Sequence, residues 1–303
     1  MNGTTGMLAS LIVEPGSAAR LDHRDPAWNG GPEYQHLGHD ERRARIDAAL
    51  ARSVIELEDA HELLWANGQH GLLVVLQAMD AAGKDGTIRH VLAGVNPTGV
   101  DVVSFKTPST EELTHDFLWR AARAMPARGR ITIFNRSHYE EVIAVRVHPD
   151  WLEREGLPPG QRTAPFWAER FESINSFEQH AARNGTKIVK LFLQVSKEEQ
   201  RRRLLARLDE PGKEWKFNAA DLAERALWDD YMGAFEEAIS ATSTPWAPWY
   251  VIPADHKPLM RALAAAVIVE AVHSLDLHPP EPTAEQHEAN EQARAQLEAE
   301  AAR

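Results

Sequence analysis

A loop at residues 77–87, QAMDAAGKDGT, combines glycines, a lysine and two carboxylates in a pattern that could bind phosphate. The common phosphate-binding loop reads G-x-x-x-x-G-K-[ST], whereas here Ala78 takes the first position and Asp85 the last. Such a loop follows a buried strand and opens a helix, so that backbone N–H groups and Lys84 face the anion. A glycine-containing turn with a surface lysine is the alternative. The segment expected to contact substrate directly comprises Ala82, Gly83, Gly86 and Thr87.

Asp80 and Asp85 place carboxylates on this same loop, where phosphate oxygens would repel them unless a divalent cation lies between. We therefore expect both side chains to be ligands of Mg²⁺, with Mn²⁺ as a substitute that the site could accept. One of the two could also orient or deprotonate the attacking group. For Asp85 alone, capping of the following helix is an alternative role.

The third predicted strand runs into the segment FNRSHYEEV, residues 134–142, at the edge of a parallel sheet where ligands usually bind. A magnesium-holding acid is common after this strand, but Asn135 occupies the position. Metal binding then falls mainly to the loop aspartates. We expect Arg136 to neutralise phosphate, and Glu140 to accept hydrogen bonds from a ribose or a base.

A basic segment at residues 196–216, SKEEQRRRLLARLDEPGKEWK, predicts a helix followed by a mobile corner. The apolar stripe that we expect this helix to bury consists of Leu204, Leu205 and Leu208. Arg203 and Arg207, four residues apart, would share a neighbouring face. With Lys216 they would form a lid at about residues 197–218 that delivers positive charge to a phosphoryl group. A solvated helix face is the alternative, because acidic residues are interspersed.

Two further cations are expected near the carboxyl edge of the sheet. Lys106 follows the second predicted strand, and Arg120 ends the segment HDFLWR. Together with the loop, Arg136 and the lid, they would line one basic groove, although the whole chain carries a formal net charge of −12. A cleft can concentrate a positive field in this way whatever the net charge of the protein.

A sheet is needed to bring these side chains to one edge. Five apolar runs predict its strands, at residues 72–76, 100–105, 130–134, 187–195 and 249–252. Helical patterns separate them, beginning with an amphipathic helix at residues 39–67, so we expect a mainly parallel five-stranded sheet in a three-layer α/β/α fold. Residues 1–36 are rich in Gly, Pro and Asn and predict an irregular arm. Residues 278–303 predict an acidic tail, either a solvated helix or disordered.

The composition argues against several other kinds of protein. The 303 residues are 43% hydrophobic and 26% charged, as in an ordinary globular protein with a substantial core. Because the chain contains no cysteine, disulfides and thiolate metal sites are excluded, which fits the cytoplasm. We expect no membrane span, since no apolar run is long enough. The negative net charge argues against a general nucleic-acid binder.

The sequence resembles the polyphosphate kinase 2 family over roughly residues 39–275. The segments that carry the resemblance are LQAMDAAGKDGTI, FKTPSTEELTHDFLWR, FNRSHYEEV, SKEEQRRRLLARLDEPGKEWKF, WDDY and APWYVIPADHK. The resemblance implies a P-loop-kinase-like catalytic domain at residues 37–277 with a helical lid. It also implies magnesium-dependent, reversible transfer of phosphoryl groups between inorganic polyphosphate and nucleotides.

Position by position, the resemblance makes Asp80, Lys84 and Asp85 the phosphate-loop residues, Arg136 the charge after the third strand, and Arg203 and Arg207 the lid arginines. Asn135 and Glu140 resemble class III of the family, whose members phosphorylate both nucleoside monophosphates and diphosphates. Ala78 departs from the glycine that the family often has there. Adenine or guanine nucleotides are therefore the expected acceptors, and a homo-oligomer is the expected assembly.

Two other functions remain open from the residues. An ATP-dependent nucleotide kinase would share the fold, the loop and the lid, but would not use polyphosphate. A non-catalytic regulator could use the same loop only to sense polyphosphate or nucleotides. The donor specificity and the presence of turnover separate these alternatives.

Overall fold

A computed structural model of the protein describes residues 2–160, 162, 165–210, 212 and 218–301. Its strands are β1 (Ile12–Val13), β2 (Gly71–Gln77), β3 (Val100–Ser104), β4 (Ile131–Asn135), β5 (Thr186–Gln194) and β6 (Trp249–Pro253). Its α-helices are α1 (Asn2–Leu11), α2 (Pro32–Gln35), α3 (His39–Asn67), α4 (Lys84–Val91), α5 (Trp119–Arg123), α6 (Ala144–Val147), α7 (Pro149–Arg154), α8 (Phe166–Arg183), α9 (Lys197–Asp209), α10 (Ala220–Ala226), α11 (Trp228–Thr242), α12 (Lys257–His273) and α13 (Ala284–Ala301). Short 3₁₀ helices lie at Leu21–His23, Pro97–Gly99, Glu112–Thr114 and His138–Glu141.

The strands in the described part of the chain form one six-stranded sheet in the order β1-β6-β5-β2-β4-β3. Strands β2 to β6 pair in parallel, and β1 pairs antiparallel with β6. The central strand β2 is buried at every residue, which explains why its sequence is one continuous apolar run. The five predicted strands are present at nearly the predicted positions, and the mainly parallel sheet is confirmed with one strand more than expected.

Helices cover both faces of this sheet. On one side α3, α4 and α12 contact one another, and on the other α11 contacts both α8 and α6. Both α8 and α12 also pack against β5. Helix α3 begins and ends at the predicted residues, and it stops at Gly68, whose φ of 62° and N–H bond to the Leu64 carbonyl close the last turn. The three-layer α/β/α fold is therefore confirmed.

The prediction of an irregular arm at residues 1–36 is wrong for the part that the structure describes. Residues 2–36 contain α1, β1, α2 and a 3₁₀ helix. Leu8, Leu11 and Val13 are buried against the rest of the protein. Elements of two to ten residues are too short to show a periodic pattern, and packing rather than intrinsic propensity stabilises them.

The segment after α12 forms α13, which is exposed at residues 284–300. The structure therefore has the solvated helix that was one of the two alternatives for the acidic tail. In the described ranges, none of the helices is long and apolar enough to cross a lipid bilayer.

Candidate phosphate-binding site

The loop between β2 and α4 contains two residues with positive φ, a backbone conformation that is unfavourable for residues other than glycine. Gly83 has φ of 118° and Ala81 has φ of 62°, both in the left-handed region that favours glycine. A Cβ atom at Gly83 would lie 3.1 Å from the Met260 Cε atom. Gly83 is therefore required by both its backbone conformation and the space around it, and it turns the first residues of α4 towards the sheet edge.

We expect Gly83→Ala to lower the free energy of unfolding by about 2–3 kcal/mol, because it adds a contact with Met260 to the left-handed backbone penalty of about 1–2 kcal/mol. Gly16→Ala is the matched control, since Gly16 has φ of 77° and no atom within 4 Å of the added Cβ. Urea unfolding measures both variants. Equal losses would show that the Met260 contact adds nothing to the backbone penalty.

Lys84 lies on the inner side of the loop. Its Nζ atom donates to the Ala78 carbonyl oxygen at 2.9 Å and contacts that of Met79 at 3.4 Å. Burial lowers the pKa of the Lys84 ammonium, and the charge of Arg136 lowers it further, while Asp80 and Glu140 act in the opposite direction. The loop carbonyls and the carboxylates together stabilise a positive charge at the position where an anion would bind.

Arg136 links the end of β4 to the loop. It has φ of 60°, another left-handed conformation, and its Nη2 atom donates to Asp80 Oδ1 at 2.6 Å. Its Nη1 atom is 3.4 Å from Glu140 Oε2. Burial raises the pKa of Asp80, but the charges of Lys84 and Arg136 outweigh it and hold that pKa below its usual value. Glu140 contributes most to raising the pKa of Arg136. The surroundings of the site thus favour the charged forms of Asp80 and Arg136.

Asn135 and Asp85 form the second link across the site, since Asn135 Nδ2 donates to Asp85 Oδ1 at 2.8 Å. The asparagine that replaces the expected acid therefore orients a loop carboxylate. The other carboxylate oxygen of Asp85 takes no part in this hydrogen bond. The interpretation that metal binding falls to the loop aspartates is compatible with this geometry.

A cavity of about 800 Å³ opens beside the loop. Eight of the predicted site residues line it: Asp80, Lys84, Asp85, Lys106, Arg120, Asn135, Arg136 and Glu140. Apolar side chains form other parts of its wall, namely Phe105, Leu113, Phe117, Val145 and Trp151. The cavity therefore combines charged groups suited to phosphate oxygens with surfaces suited to a nucleobase.

Arg120 is more firmly held than its sequence position indicated. Its Nη2 atom pairs with Glu141 Oε1 at 2.6 Å, and its Nη1 atom donates to the Lys106 carbonyl oxygen at 2.8 Å. The guanidinium also lies 5.1 Å from the centre of the Phe105 ring. Arg120 thus fixes the cavity wall, whereas the exposed Lys106 side chain is available to a ligand.

The structure corrects the predicted position of Arg203. Arg203 is only 7% exposed, and its guanidinium donates to the carbonyl oxygens of Ala82 at 2.5 Å and Ala254 at 2.6 Å. Its Nε atom pairs with Glu199 at 2.7 Å. Arg203 therefore clamps α9 to the loop and to the end of β6, and its donors do not reach the cavity.

The rest of the lid also differs from expectation. Leu204 is buried, but Leu205 and Leu208 are 44% and 45% exposed, because the buried face of α9 is the one that carries Arg203. Arg207 donates to Asp221 at 2.9 Å and remains partly exposed. Lys216 lies outside the described residues.

Three predicted contact residues of the loop, Ala82, Gly86 and Thr87, present no side chain to the cavity. Thr87 is 2% exposed, and its hydroxyl donates to the Gly83 carbonyl oxygen at 3.1 Å, so it is not available to a substrate. Ala82 is fully buried. A Cβ atom at Gly86 would face Arg261 on α12, 3.3 Å from its Nη2 atom. For Ala82 and Gly86, any substrate contact must come from the backbone.

The residues that could hold a metal ion are Asp80 and Asp85. Among the described residues, no group of three or more His, Cys, Asp or Glu side chains could enclose an ion. Mg²⁺ does not need such a cage, because it is usually bound by one or two carboxylates together with substrate phosphates and water. Each aspartate uses one oxygen for Arg136 or Asn135. Both side chains line the cavity, so they fit this kind of site.

A buried ion pair behind the site was missed by the sequence analysis. Lys190 and Glu178 are fully buried, and Lys190 Nζ donates to Glu178 Oε2 at 2.6 Å. The same Nζ donates to the Tyr139 hydroxyl at 2.8 Å and to the Thr242 carbonyl oxygen at 2.7 Å. Tyr139 lies in the segment between Arg136 and Glu140, so this network supports the site from below. A lysine inside the apolar run of β5 was the available signal.

The comparisons with known proteins agree on one family. The family model of polyphosphate kinase 2 matches residues 40–279. An ADP-polyphosphate phosphotransferase of Rhodopseudomonas palustris is 52% identical over 90% of this chain and 91% of its own, and an AMP/ADP-polyphosphate phosphotransferase of Meiothermus ruber is 46% identical over 89% and 94%. A crystal structure of polyphosphate kinase 2 from Arthrobacter aurescens superposes with a TM-score of 0.80 at 40% identity, covering 90% of this chain and 91% of that one. On these matches, the chain belongs to the polyphosphate kinase 2 family.

Proposed function

We propose that the protein is a polyphosphate-dependent nucleotide kinase, which reversibly transfers phosphoryl groups from inorganic polyphosphate to adenine or guanine nucleotides, both monophosphates and diphosphates. The observation that carries the proposal is the convergence of Lys84, Arg136 and two loop carboxylates on one cavity that also has apolar walls. The names of the two relatives support the choice of donor and acceptors.

The donor has no base or sugar, so its recognition depends on charge. Lys84 and Arg136 would bind phosphate oxygens, while Phe105, Phe117 and Trp151 offer surface to the base of the acceptor. Asp80 and Asp85 would hold Mg²⁺, which would neutralise phosphate charge when bound. We propose that Arg207, rather than Arg203, brings the lid charge to the site, since Arg203 is occupied by backbone carbonyls.

The reaction needs no covalent protein intermediate. An oxygen of the nucleotide's terminal phosphate attacks the terminal phosphorus of the chain, and a new P–O bond forms. The P–O bond to the rest of the chain breaks, and the shortened chain leaves with the electron pair. The protein's contribution is to align the two substrates and to stabilise negative charge on the transferred group.

The test is to incubate the purified protein with Mg²⁺, polyphosphate and AMP, and to follow the appearance of ADP and ATP. We expect ADP first and ATP later, because both acceptors are used. A parallel reaction with ATP as donor and no polyphosphate tests the nearest alternative. Turnover with ATP alone would indicate an ATP-dependent kinase, and polyphosphate binding without turnover would indicate a regulator.

Turnover with polyphosphate should fall as ionic strength rises, since the donor is held mainly by charge. We expect KM for polyphosphate to increase roughly threefold or more between low and moderate salt, because exposed charges more than about 10 Å apart are screened at 0.1 M salt. The thermal transition of the protein, measured at the same salt concentrations, is the control. A KM that does not respond to salt while the fold is intact would contradict electrostatic recognition.

We also propose that the protein acts in the cytoplasm as a homo-oligomer. The absence of cysteine fits a reducing compartment. Large apolar side chains are exposed on α3 and on the edge strand β3, with Ile55 at 59%, Trp65 at 50% and Val102 at 48%. Such residues are common in subunit contacts. Light scattering on the purified protein would measure the assembly, and a monomer would contradict it.

A further inference from the structure

A second basic surface lies beside the loop but outside the cavity. It consists of Arg43 on α3, Arg89 and His90 on α4, and Arg261 on α12, and we call it the basic strip. The three helices that carry these residues pack against one another. None of the four residues lines the cavity described above. The proposed mechanism therefore leaves this positive charge unexplained.

The basic strip is physically connected to the phosphate loop. Arg261 Nη1 lies 3.1 Å from His90 Nε2, and His90 Nδ1 lies 2.6 Å from the Gly86 carbonyl oxygen. This arrangement requires a proton on Nδ1, so that Nε2 accepts from the arginine. The lack of a side chain at Gly86 lets the Arg261 guanidinium approach the first turn of α4. The strip thus begins two residues after Lys84.

The charges of the basic strip are poorly neutralised by the protein itself. Burial lowers the pKa of Arg261, and the neighbouring charges of Arg89 and Arg43 lower it further. Arg261 Nε is buried without a hydrogen-bond partner among the described residues. Arg89 is exposed and forms no ion pair within the described ranges, while Asp47 pairs with Arg43 at 2.7 Å. Clustered cations of this kind indicate a surface suited to an anion.

The length of helix α3 indicates that the basic strip extends from the loop past the edge of the sheet. Helix α3 leads into β2, so its first residues lie towards the edge where β2 ends and the loop begins. With 29 residues it is about 43 Å long, whereas the seven residues of β2 span only about 23 Å. Helix α3 therefore extends past the sheet edge, and Arg43 is near its outer end. A pocket of about 270 Å³ follows there, with His39, Arg42, Arg43 and His256 in its wall.

We propose that the basic strip binds the part of the polyphosphate chain that extends beyond the reacting phosphates. The inference rests on the proposed function, because it takes polyphosphate as the donor. Each phosphate in the chain carries negative charge, so a chain leaving the loop at Gly86 would meet Arg261 first, with Arg89 and Arg43 close to that arginine. A donor of three or four phosphates has fewer charges left for the strip once its terminal phosphates lie in the site. The basic strip therefore confers a preference for long chains.

The proposal is tested with Arg89→Ala and with the double variant Arg43→Ala/Arg89→Ala, using tetraphosphate and long-chain polyphosphate as separate donors. We expect KM for the long chain to rise roughly three- to tenfold for each arginine removed, as for loss of a partly exposed charge-assisted contact. KM for tetraphosphate, KM for the nucleotide and kcat should change less than about twofold by the same reasoning. Arg89→Lys should retain most of the long-chain affinity, since it keeps the charge.

Arg128→Ala is the matched control, because Arg128 is exposed and precedes β4 at the opposite edge of the sheet. If the double variant changes KM equally for both donors, or for neither, the proposal is overturned. Should the wild-type protein show no turnover with polyphosphate, the proposed function fails, and the basic strip is then tested by direct titration with long-chain polyphosphate. Weaker binding in the double variant but not in Arg128→Ala supports it, and equal binding in all three proteins overturns it.

Discussion

Asp80→Asn is expected to lower kcat by about 10²–10³-fold, the usual cost of removing one preorganised electrostatic group from an active site. The carboxylate accepts a hydrogen bond from Arg136 at 2.6 Å and lines the cavity beside Lys84. An asparagine has nearly the same shape, but it lacks the negative charge that would bind Mg²⁺ and that pairs with the arginine. The substitution should therefore lower kcat strongly and have little effect on the folded structure.

The measurement is kcat with saturating polyphosphate and nucleotide at increasing Mg²⁺. Asp101→Asn is the matched control, since Asp101 pairs with Arg130 at 2.9 Å on the edge strand β3 and does not line the cavity. It should leave kcat unchanged. If Asp80→Asn retains kcat within about tenfold of the wild type, Asp80 contributes no more than an ordinary hydrogen bond to the transition state.

Acid unfolding gives an independent check on the same side chain. The folded protein holds the pKa of Asp80 below its usual value, so the carboxylate adds stability above the unfolded pKa of about 3.9. This contribution is lost as the pH falls through the folded pKa. The stability difference between the wild type and Asp80→Asn should therefore shrink on acidification. A difference that is constant with pH would mean that the carboxylate is not favourably paired.

Lys190→Met is expected to lower the free energy of unfolding by about 3–5 kcal/mol, because it leaves the buried Glu178 charge without its partner. Both side chains are inaccessible to solvent, and their charged atoms are 2.6 Å apart. Burial raises the pKa of Glu178, but the charge of Lys190 and the hydrogen bonds to His138 and Lys190 together outweigh it and keep that pKa below its usual value. Loss of the lysine therefore forces the carboxyl group to bind a proton or the structure to open.

The double variant Lys190→Met/Glu178→Leu distinguishes the effect of an unpaired charge from the effect of altered packing. It buries no unpaired charge, so it should recover a large part of the stability that the single variant loses. Urea unfolding at pH 7 measures all three proteins. If the double variant is as unstable as Lys190→Met, the defect comes from packing in the interior rather than from an unpaired charge.

Much of the fold could be predicted from the sequence because its strands are buried on both faces. β2 and β5 are continuous apolar runs, and the long helix α3 shows enough turns for its period to be recognised. β1 could not be predicted, since two residues have no detectable period and its pairing with β6 joins segments far apart in the chain. Short elements stabilised by distant contacts leave little local signal.

The site residues that directly follow parallel strands could be predicted from the sequence. Lys84, Asp85 and Arg136 follow parallel strands, whose carboxyl ends meet at one edge, and all three line the cavity. Arg203 was assigned to the lid because its sequence neighbours are basic and apolar, yet its donors bind carbonyl oxygens of two other segments. Sequence spacing shows which residues share a helix face, but it does not show which backbone groups that face will meet.

The antiparallel strand β1 bears on how the protein should be expressed. Ile12 and Val13 pair with Tyr250 and Trp249 at the border of the sheet. Removing them would expose the apolar strand β6 to pairing with a second chain and hence to aggregation. Helix α13, at the opposite end of the chain, is exposed at residues 284–300. A purification tag therefore belongs after α13, and truncations that trim the first 13 residues should give insoluble material.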